Sequence, residues 1–585
     1  MRYYNSMIYD LSIVIKAQEE GDKNLILNRL NAELRKKYSG SERAEFVFAK
    51  KSVDARHGQL KLCLRYKAYV GEEPPKAKKE FSWRKADGSK KVVIVGSGPA
   101  GLFAALKLLE GGVQPIIIER GKPAPERKRD IAAISTKGLV DADSNYCFGE
   151  GGAGTFSDGK LYTRSDKRGN IGEVLQTFVH FGADPKILTD AHPHIGTNKL
   201  PQIIQNMRAK IIELGGEFHF ESRVVDFIIE GAKDVRVKPE HDIVGSPSPV
   251  IAARDAAIFT PKTVRGVAAR TADGGQKTFL ADAVILATGH SACDIYELLA
   301  KAAPESLEAK TFAVGVRVEH PRELIDKIQY HGKREAAGLG AAEYRLTAQV
   351  DGRGVYSFCM CPGGFVVPSA TGPQEIVVNG MSAAERNSAW SNAAIVVETK
   401  PEDIDAIAGE MSGSSPNMTE RTENSFGLAN SPLAGLRFRS WLERETYAHG
   451  GASFSANPNA APAQRLADFL AGRDSSSLPK SSYTPGLVPS RLDQWLPPFI
   501  RERLKEGFRQ FDKNMKGFIC PDALLIASET RTSTPVRVKR DKDSLECSGL
   551  AGLYPAGEGS GWSGGIVSSA MDGQNSAQKI LKKFL

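Results

Sequence analysis

Two hydrophobic periods divide the chain. Apolar residues alternate with polar ones at Leu11, Ile13 and Ile15 and again at Leu60, Leu62, Leu64 and Tyr66, which predicts half-buried strands. Between them Ile26, Leu30 and Leu34 keep helical spacing, and Phe46 and Phe48 mark a further strand. The first 70 residues thus predict a small α+β unit, strand, helix, strand, strand. Residues 71–90 have linker composition. The pattern then changes. Val92 to Val95 form a short, fully apolar run, and the chain turns through Gly96, Gly98 and Gly101 into a helix whose Leu102, Ala105, Leu106 and Leu109 share one face. Gly111 and Gly112 end that helix, and Pro115 to Ile118 predict a second buried strand that stops at Glu119.

Further along, Ile203, Ile204, Met207 and Leu214 predict a helix, and Glu217 to Ile229 a single strand. Residues 231–262 have the polarity of an insertion, and Ala283 to Ala287 predict a buried strand leading into Thr288, Gly289 and His290. From about residue 300, alternating stretches such as Thr311 to Glu319 and Gly364 to Val367 predict a sheet-rich unit. Residues 401–434 resemble a surface insertion, and Pro485, Pro497 and Pro498 punctuate a helical stretch. Gly552 to Ala556 predict a strand with Gly557 and Glu558 at its tip, and Ile566 to Leu581 a helix with Ala570, Gly573 and Ala577 as small packing positions. That last strand and helix return to the first large unit, so the middle reads as inserted into it. The expected division is 1–85, 90–300, 301–540 and 541–585, the second and fourth segments forming one domain.

A length of 585 residues exceeds one compact core, and 41% hydrophobic with 25% charged residues is globular composition. No apolar run approaches the roughly 20 residues of a membrane span, and the N-terminus lacks a signal-peptide core, so a cytoplasmic protein without a membrane span is expected. Seven cysteines without a CxxC spacing argue against a disulfide framework or a zinc ribbon. Charge is unevenly spread: residues 1–90 hold 20 Lys and Arg against 12 Asp and Glu, the rest 58 against 57. The basic face alternating with Leu60 to Tyr66 is either ordinary solvated surface or a docking face for nucleic acid or an acidic protein, and no interleaved aromatics favour the latter.

The candidate chemistry lies in the glycine turn. In a dinucleotide fold the first glycine permits the tight turn, the second lets backbone approach a diphosphate, the third lets helix and strand pack, and an acid about 20 residues on meets the ribose. Gly96, Gly98, Gly101 and Glu119 supply all four. The same spacing recurs at Gly149, Gly151, Gly154 and at Gly559, Gly561, Gly564, without the strand and acid in order. Gly154 to Lys160 match a P-loop spacing, but Leu161 occupies the magnesium-binding hydroxyl position, which excludes an ATPase. His192 and His194 read as a turn leading into a helix rather than a metal site, and no metal is expected. Cys359 and Cys361 are either two packed thiols or a redox pair.

These features together resemble the glutathione-reductase-like FAD flavoproteins. The stretches GEGGAGTFSDGKL, DAHPHIGT, SFCMCPGGFVVPS, VVNGMS, APAQRLADF, SETRTSTPVR and GLYPAGEGSGWSGGIVSSAMDGQ are similar to a family of uncharacterised FAD-dependent dehydrogenases. The resemblance implies an α/β fold: a three-layer Rossmann-like FAD-binding domain, an inserted sheet-rich substrate or cap domain, and the small N-terminal α+β domain. It implies that Gly96, Ser97, Gly98, Pro99, Ala100 and Gly101 wrap the FAD diphosphate and that Glu119, with Arg120, serves the adenosine ribose. Val224 would meet adenine through its backbone, and Ala287, Thr288 and Gly289 would form a loop over the cofactor. Gly557 and Glu558 would lie at the ribityl region, where the family commonly has Asp, and Gly154, Thr155, Gly565 and Ile566 complete the expected contacts. A helix N-terminus near Gly565 facing the flavin pyrimidine would stabilise negative charge there.

The expected activity is an FAD-dependent oxidoreductase working by hydride transfer on a small molecule; no second complete nucleotide fingerprint is present, so electrons come from the substrate, from NAD(P)H as a transient donor at the same face, or from a partner protein. His192, His194, Cys359, Cys361, Arg531 and Trp562 are candidates to line its pocket, without assigned catalytic roles. A second reading is a flavin-bound redox sensor or adaptor acting through the basic N-terminal unit. A third, from distant likeness to flavoproteins that saturate isoprenoid double bonds, would require a long apolar cavity.

Overall fold

A computed structural model describes residues 7–40, 43–55, 60–74, 80–163, 169–231, 262–334, 338–411, 431–453 and 456–584. The expected insertion at 231–262 lies almost wholly outside these, as do residues 412–430 of the 401–434 stretch.

A parallel sheet is assembled from both ends of the large unit. Its order is Leu553–Pro555, Ala283–Leu286, Lys91–Val95, Gln114–Ile118 and Glu217–His219. Side chains alternate across a strand, so each apolar run feeds two cores. Val92, Ile94, Ile117 and Ile285 pack beneath the helices Pro99–Glu110, Leu200–Glu213 and Ile566–Phe584. Val93, Val95, Ile116, Ile118, Val284 and Leu286 face an antiparallel meander of Ser222–Glu230, Thr263–Thr271 and Gln276–Leu280. The result is a three-layer, Rossmann-like α/β fold. The C-terminal helix lies so close to Pro99–Glu110 that a Cβ at Gly573 would fall 2.0 Å from the Ala100 carbonyl oxygen.

A seven-stranded sheet follows, in the order Thr347–Val350, Arg353–Cys361, Trp390–Thr399, Phe312–Pro321, Leu524–Glu529, Ala461–Arg465 and Leu487–Pro489. Val314, Val316 and Val318 face a core that includes Ile500, Leu504, Phe508 and Phe511 of the helix Pro498–Asn514. The alternation leaves Arg317 on the opposite face, where it pairs with Glu529 at 2.9 Å.

His320 is buried at the edge of the same core, against Phe518. It is fully buried, its Nε2 donates to the Phe518 carbonyl at 2.8 Å, and its Nδ1 has no partner. Burial pushes its pKa down to about 4. Between the unfolded value of roughly 6.5 and that value the unfolded chain binds a proton the folded one refuses, so stability falls as pH drops through this window. Urea unfolding should show a loss of about 2 kcal/mol from this residue between pH 7 and pH 5, and His320→Gln should remove it. An identical pH slope in that variant would refute the assignment.

The N-terminal unit has the expected order of elements: Met7–Lys16, helix Lys23–Arg35, Ala44–Asp54 and Lys61–Val70, with the last strand central in the sheet. It is joined to the large unit by backbone bonds from Lys51 N to the Thr189 oxygen and from Ala191 N to the Lys51 oxygen, each 3.0 Å.

Three expectations need correction. The stretch 217–229 is two strands in two sheets, because Glu221 takes φ 51° and turns the chain between them. The linker-like stretch is docked where described: Trp83 stacks on Phe181 and Arg84 N bonds to the Leu109 oxygen at 2.9 Å. The beginning of the 401–434 stretch is the helix Pro401–Met411, whose Ile404 and Ile407 are buried in the second core. Single apolar residues at helical spacing inside a polar segment were enough to anchor it.

Candidate functional site

The glycine turn opens on a long cleft enclosing ≈1500 Å³ of space, its mouth included. The three glycines do different work there. Gly96 has φ 103°, and a Cβ on it would lie 2.4 Å from the Ala287 carbonyl oxygen; one on Gly101 would lie 2.0 Å from the Gly96 oxygen. Both are required by protein packing alone. Gly98 differs: its extended backbone (φ −72°, ψ −175°) suits any residue, and the nearest atom to a Cβ is Gly152 Cα at 3.8 Å. The protein leaves the space before Gly98 free. The helix that starts at Pro99 directs first-turn N–H groups, which have no intrahelical acceptors, toward that space.

The opposite wall is the second glycine loop, which holds the expected contacts Gly154 and Thr155. Gly151 N donates to the Ser97 oxygen at 3.0 Å, and Gly152 faces Gly98. The loop is shaped around Arg127, fully buried in the helix Ala124–Lys137. Its guanidinium donates to the carbonyl oxygens of Asn145 (2.8 Å), Tyr146 (3.0 Å), Gly149 (3.2 Å), Glu150 (2.8 Å) and Gly152 (2.8 Å). Burial lowers its pKa to about 10, which leaves it charged at neutral pH. Arg127 carried no sequence signal beyond its place in a basic segment.

Most residues expected to touch a cofactor line the cleft: Gly96, Gly98, Pro99, Ala100, Glu119, Arg120, Gly154, Val224, Ala287, Thr288, Gly289, Gly557, Glu558, Gly565 and Ile566. Ser97, Gly101 and Thr155 are outside its lining. Glu119 accepts from Ser97 N (3.0 Å), Ser97 Oγ (2.8 Å), Gly121 N (3.0 Å) and Gly149 N (3.0 Å). Its oxygens thereby tie both glycine loops together, and a ribose hydroxyl gains a place only where the Ser97 hydroxyl turns away. Arg120 stacks over Phe148 at 4.1 Å and pairs with Asp143 and Asp294, as does Arg223. At Gly557 the capping acid is Asp572, which accepts its N–H at 2.8 Å, while Glu558 lies 3.7 Å from His290 Nδ1.

Of the six proposed pocket residues, only Cys359 and Arg531 line this cleft. The Arg531 guanidinium is held by Glu443 at 2.7 Å. Trp562 donates to the Val538 oxygen at 2.9 Å and lies between Arg537 and Arg540. His192 and His194 line a second, larger cleft of ≈3050 Å³ bounded also by Lys51, Ala55 and His331. There His192 Nδ1 is 3.1 Å from Glu343, and His194 Nε2 is 3.1 Å from the Ala384 oxygen. Sequence reasoning missed Asp158, Lys160, Asn379 and Thr532 in the first cleft. In the sequence Lys160 stands out only as the end of a failed P-loop spacing.

A Rossmann-like layer stack whose glycine turn and two helix N-termini open on one cleft is the arrangement of a dinucleotide-binding protein. Residues 89–132 match the FAD binding domain family, and residues 311–532 match the family described as FAD-dependent protein, C-terminal domain-like. An uncharacterized protein of Clostridium beijerinckii is 38% identical over 497 residues, 84% of this chain and 81% of that protein. The chain belongs to the family of that protein and is an FAD-dependent flavoprotein. Among solved structures, a geranylgeranyl bacteriochlorophyll reductase-like protein of Thermoplasma acidophilum aligns at 12% identity and TM-score 0.31, covering 84% of this chain and 78% of that one. A flavoprotein/dehydrogenase of Cytophaga hutchinsonii aligns at 11% identity and TM-score 0.25, covering 57% and 63%. Likenesses this slight say nothing about what the chain acts on.

Proposed function

We propose that the protein is an FAD-dependent oxidoreductase of the glutathione-reductase-like binding mode, acting on a small molecule admitted beside the cofactor. The observation that carries this reading is the free space before Gly98, bounded by backbone rather than side chains, while Gly96 and Gly101 are fully packed. The donor set fits FAD. Backbone N–H groups of Gly98 and Ala100 would hold the diphosphate, Glu119, Arg120 and Val224 the adenosine end, and Gly557 and Glu558 the ribityl end, with Ala287 to Gly289 across it. Gly154 would sit against Ile566 at the flavin end, since a Cβ there lies 3.3 Å from Ile566 Cγ1; Ser97 and Thr155 would support from behind. Bound FAD supplies a two-electron carrier that accepts or gives hydride.

The chain's own part is to bind, orient and tune. First-turn N–H groups of the helix Ile566–Phe584, next to Gly565 in the cleft wall, place partial positive charge where it favours an anionic ring edge. Residues 90–300 with 541–585 would form the cofactor domain and residues 301–540 the cap, contributing Cys359, Asn379 and Arg531 to the cleft. Asp158, Lys160 and Asn379 add polar groups to a lining that is otherwise mostly apolar. The backbone pairing of residue 51 with residues 189 and 191 supports a part for the N-terminal unit, residues 1–85, within this body rather than as a free nucleic-acid adaptor.

The test is anaerobic mixing of the FAD-loaded protein with NADH and, separately, NADPH. Bleaching of the flavin absorbance by at least one of them is expected. A protein that takes up no FAD on reconstitution would overturn the reading.

A further inference from the structure

The strand Arg353–Cys361 loses its regular pairing with Trp390–Thr399 between Phe358 and Cys361, and within that irregularity Cys359 takes φ 43°. A left-handed, non-glycine residue at a bulge is uncommon and re-aims its neighbours. Here it brings two sulfurs under one ammonium: Lys160 Nζ is 4.0 Å from Cys359 Sγ and 3.8 Å from Cys361 Sγ. Cys359 is partly exposed and lines the cleft, whereas Cys361 is buried behind it, its thiol 3.3 Å from the Cys359 carbonyl oxygen. Arg317, paired with Glu529, reaches the same carbonyl at 3.4 Å.

We propose that Cys359 and Cys361 form a dithiol–disulfide exchange centre in the cleft wall, with Cys359 as attacking thiolate, Cys361 as resolving thiol and small-molecule disulfides as substrates. Small size follows from position, because Cys359 lies in the wall of a cleft and not on a projecting loop. The arrangement has what exchange requires: an accessible attacking sulfur, a shielded second sulfur beside it, and a fixed cation.

Charge is disposed to match. A hydrogen bond from Cys361 holds the Cys359 thiol down at about 5; burial opposes this, and Lys160 and Arg317 reinforce it against the nearby Asp158. Bonding to Cys359 and burial push Cys361 up instead, so it stays protonated until needed. Burial works against the Lys160 charge, but Asp158 at 3.2 Å and the two sulfurs hold it above the ordinary lysine range. Asp158 in turn is held by Arg386 at 2.8 Å. Glu529 is a further charged group facing Cys359.

In the exchange, the Cys359 thiolate forms a bond to one sulfur of R–S–S–R, and the S–S bond breaks to release R–S⁻. That thiolate takes the Cys361 proton and leaves as R–SH. Cys361 sulfur then attacks Cys359 Sγ, and the mixed disulfide breaks to release the second R–S⁻. The dithiol is oxidised by two electrons and the substrate disulfide is reduced by two. Return to the dithiol needs a two-electron reductant, by class a reduced nicotinamide, and only this part rests on the proposed oxidoreductase reading.

The test uses the full-length, FAD-loaded protein with dithiobis(nitrobenzoate) as probe, followed by stopped-flow release of thionitrobenzoate and by peptide mass spectrometry. Wild type should release two equivalents in a fast phase and leave a Cys359–Cys361 disulfide. Its rate should be nearly flat from pH 6 to pH 8, where an ordinary thiol accelerates about tenfold per pH unit. Cys361→Ser should release one equivalent and keep the probe on Cys359; Cys359→Ser should lose the fast phase while retaining FAD absorbance. Lys160→Met should shift the profile part of the way toward an ordinary thiol's pH dependence, and Lys160→Arg should largely keep it flat, as expected of a positioning residue. A fast phase that survives in Cys359→Ser, or oxidised wild type without the Cys359–Cys361 bond, would overturn the proposal. Loss of FAD binding with exchange intact would instead count only against the oxidoreductase reading.

Discussion

Gly98→Val is expected to give a folded protein that does not hold FAD. The substitution is benign toward the protein, because the backbone is extended and the nearest atom to the new Cβ is 3.8 Å away. Its branched side chain instead enters the space before the first turn of the helix Pro99–Glu110, where a diphosphate needs bare backbone. Intruding atoms in a filled site cost about 3 kcal/mol at the upper end, or roughly 100-fold in Kd. The variant should elute colourless from gel filtration with its Tm near that of the flavin-free wild type. Stoichiometric FAD in the purified variant would refute placement of the diphosphate at this turn. Gly101→Val tests the opposite case: a Cβ 2.0 Å from the Gly96 oxygen should disrupt the fold itself.

Arg127→Met should be the most damaging single change at the cleft that touches no cofactor atom. Five carbonyl oxygens between Asn145 and Gly152 lose their donor, and buried acceptors left without partners cost about 1–3 kcal/mol each where water cannot replace the lost bond. Partial relaxation of the loop should bring the net loss to about 4 kcal/mol, in the range seen when a buried charged group is removed from its partners. The urea midpoint should fall accordingly. FAD affinity should fall with it, because the loop forms the wall opposite Gly98 through the Gly151–Ser97 bond. Arg127→Lys should recover little, since one ammonium cannot span the acceptors that a planar guanidinium reaches. An unchanged urea midpoint in Arg127→Met would show that the loop holds its shape without this residue.

The glycine turn was legible in the sequence because every element of its signal is local: a strand of four apolar residues, a helix with one apolar stripe, and a second strand ending on Glu119. Periods of 2 and 3.6 residues are set by backbone geometry, so the burial of Val92 to Val95 and the helical face of Leu102 to Leu109 follow from residue order alone. The short C-terminal strand beside Ala283–Leu286 was legible for the same reason. The break of 217–229 into two strands was not, because Glu221 differs from its neighbours only in a backbone angle imposed by the two sheets. Nor was the fate of the candidate pocket residues. His192 and His194 resemble site residues in one dimension, yet they line a different cleft from Cys359, and Trp562 packs between two arginines outside both.

Residue order therefore suffices for the layers, for the glycine turn after the first strand of the large unit, and for an FAD-dependent flavoprotein. Folding in three dimensions alone decides the composition of the cleft: Lys160, Asn379 and Arg531 come from segments far apart in the chain, and a bulge rather than any motif turns Cys359 toward them. Strand and helix periods are short-range properties of the chain, whereas a site wall depends on which distant faces must be buried against each other, and no local pattern encodes that choice.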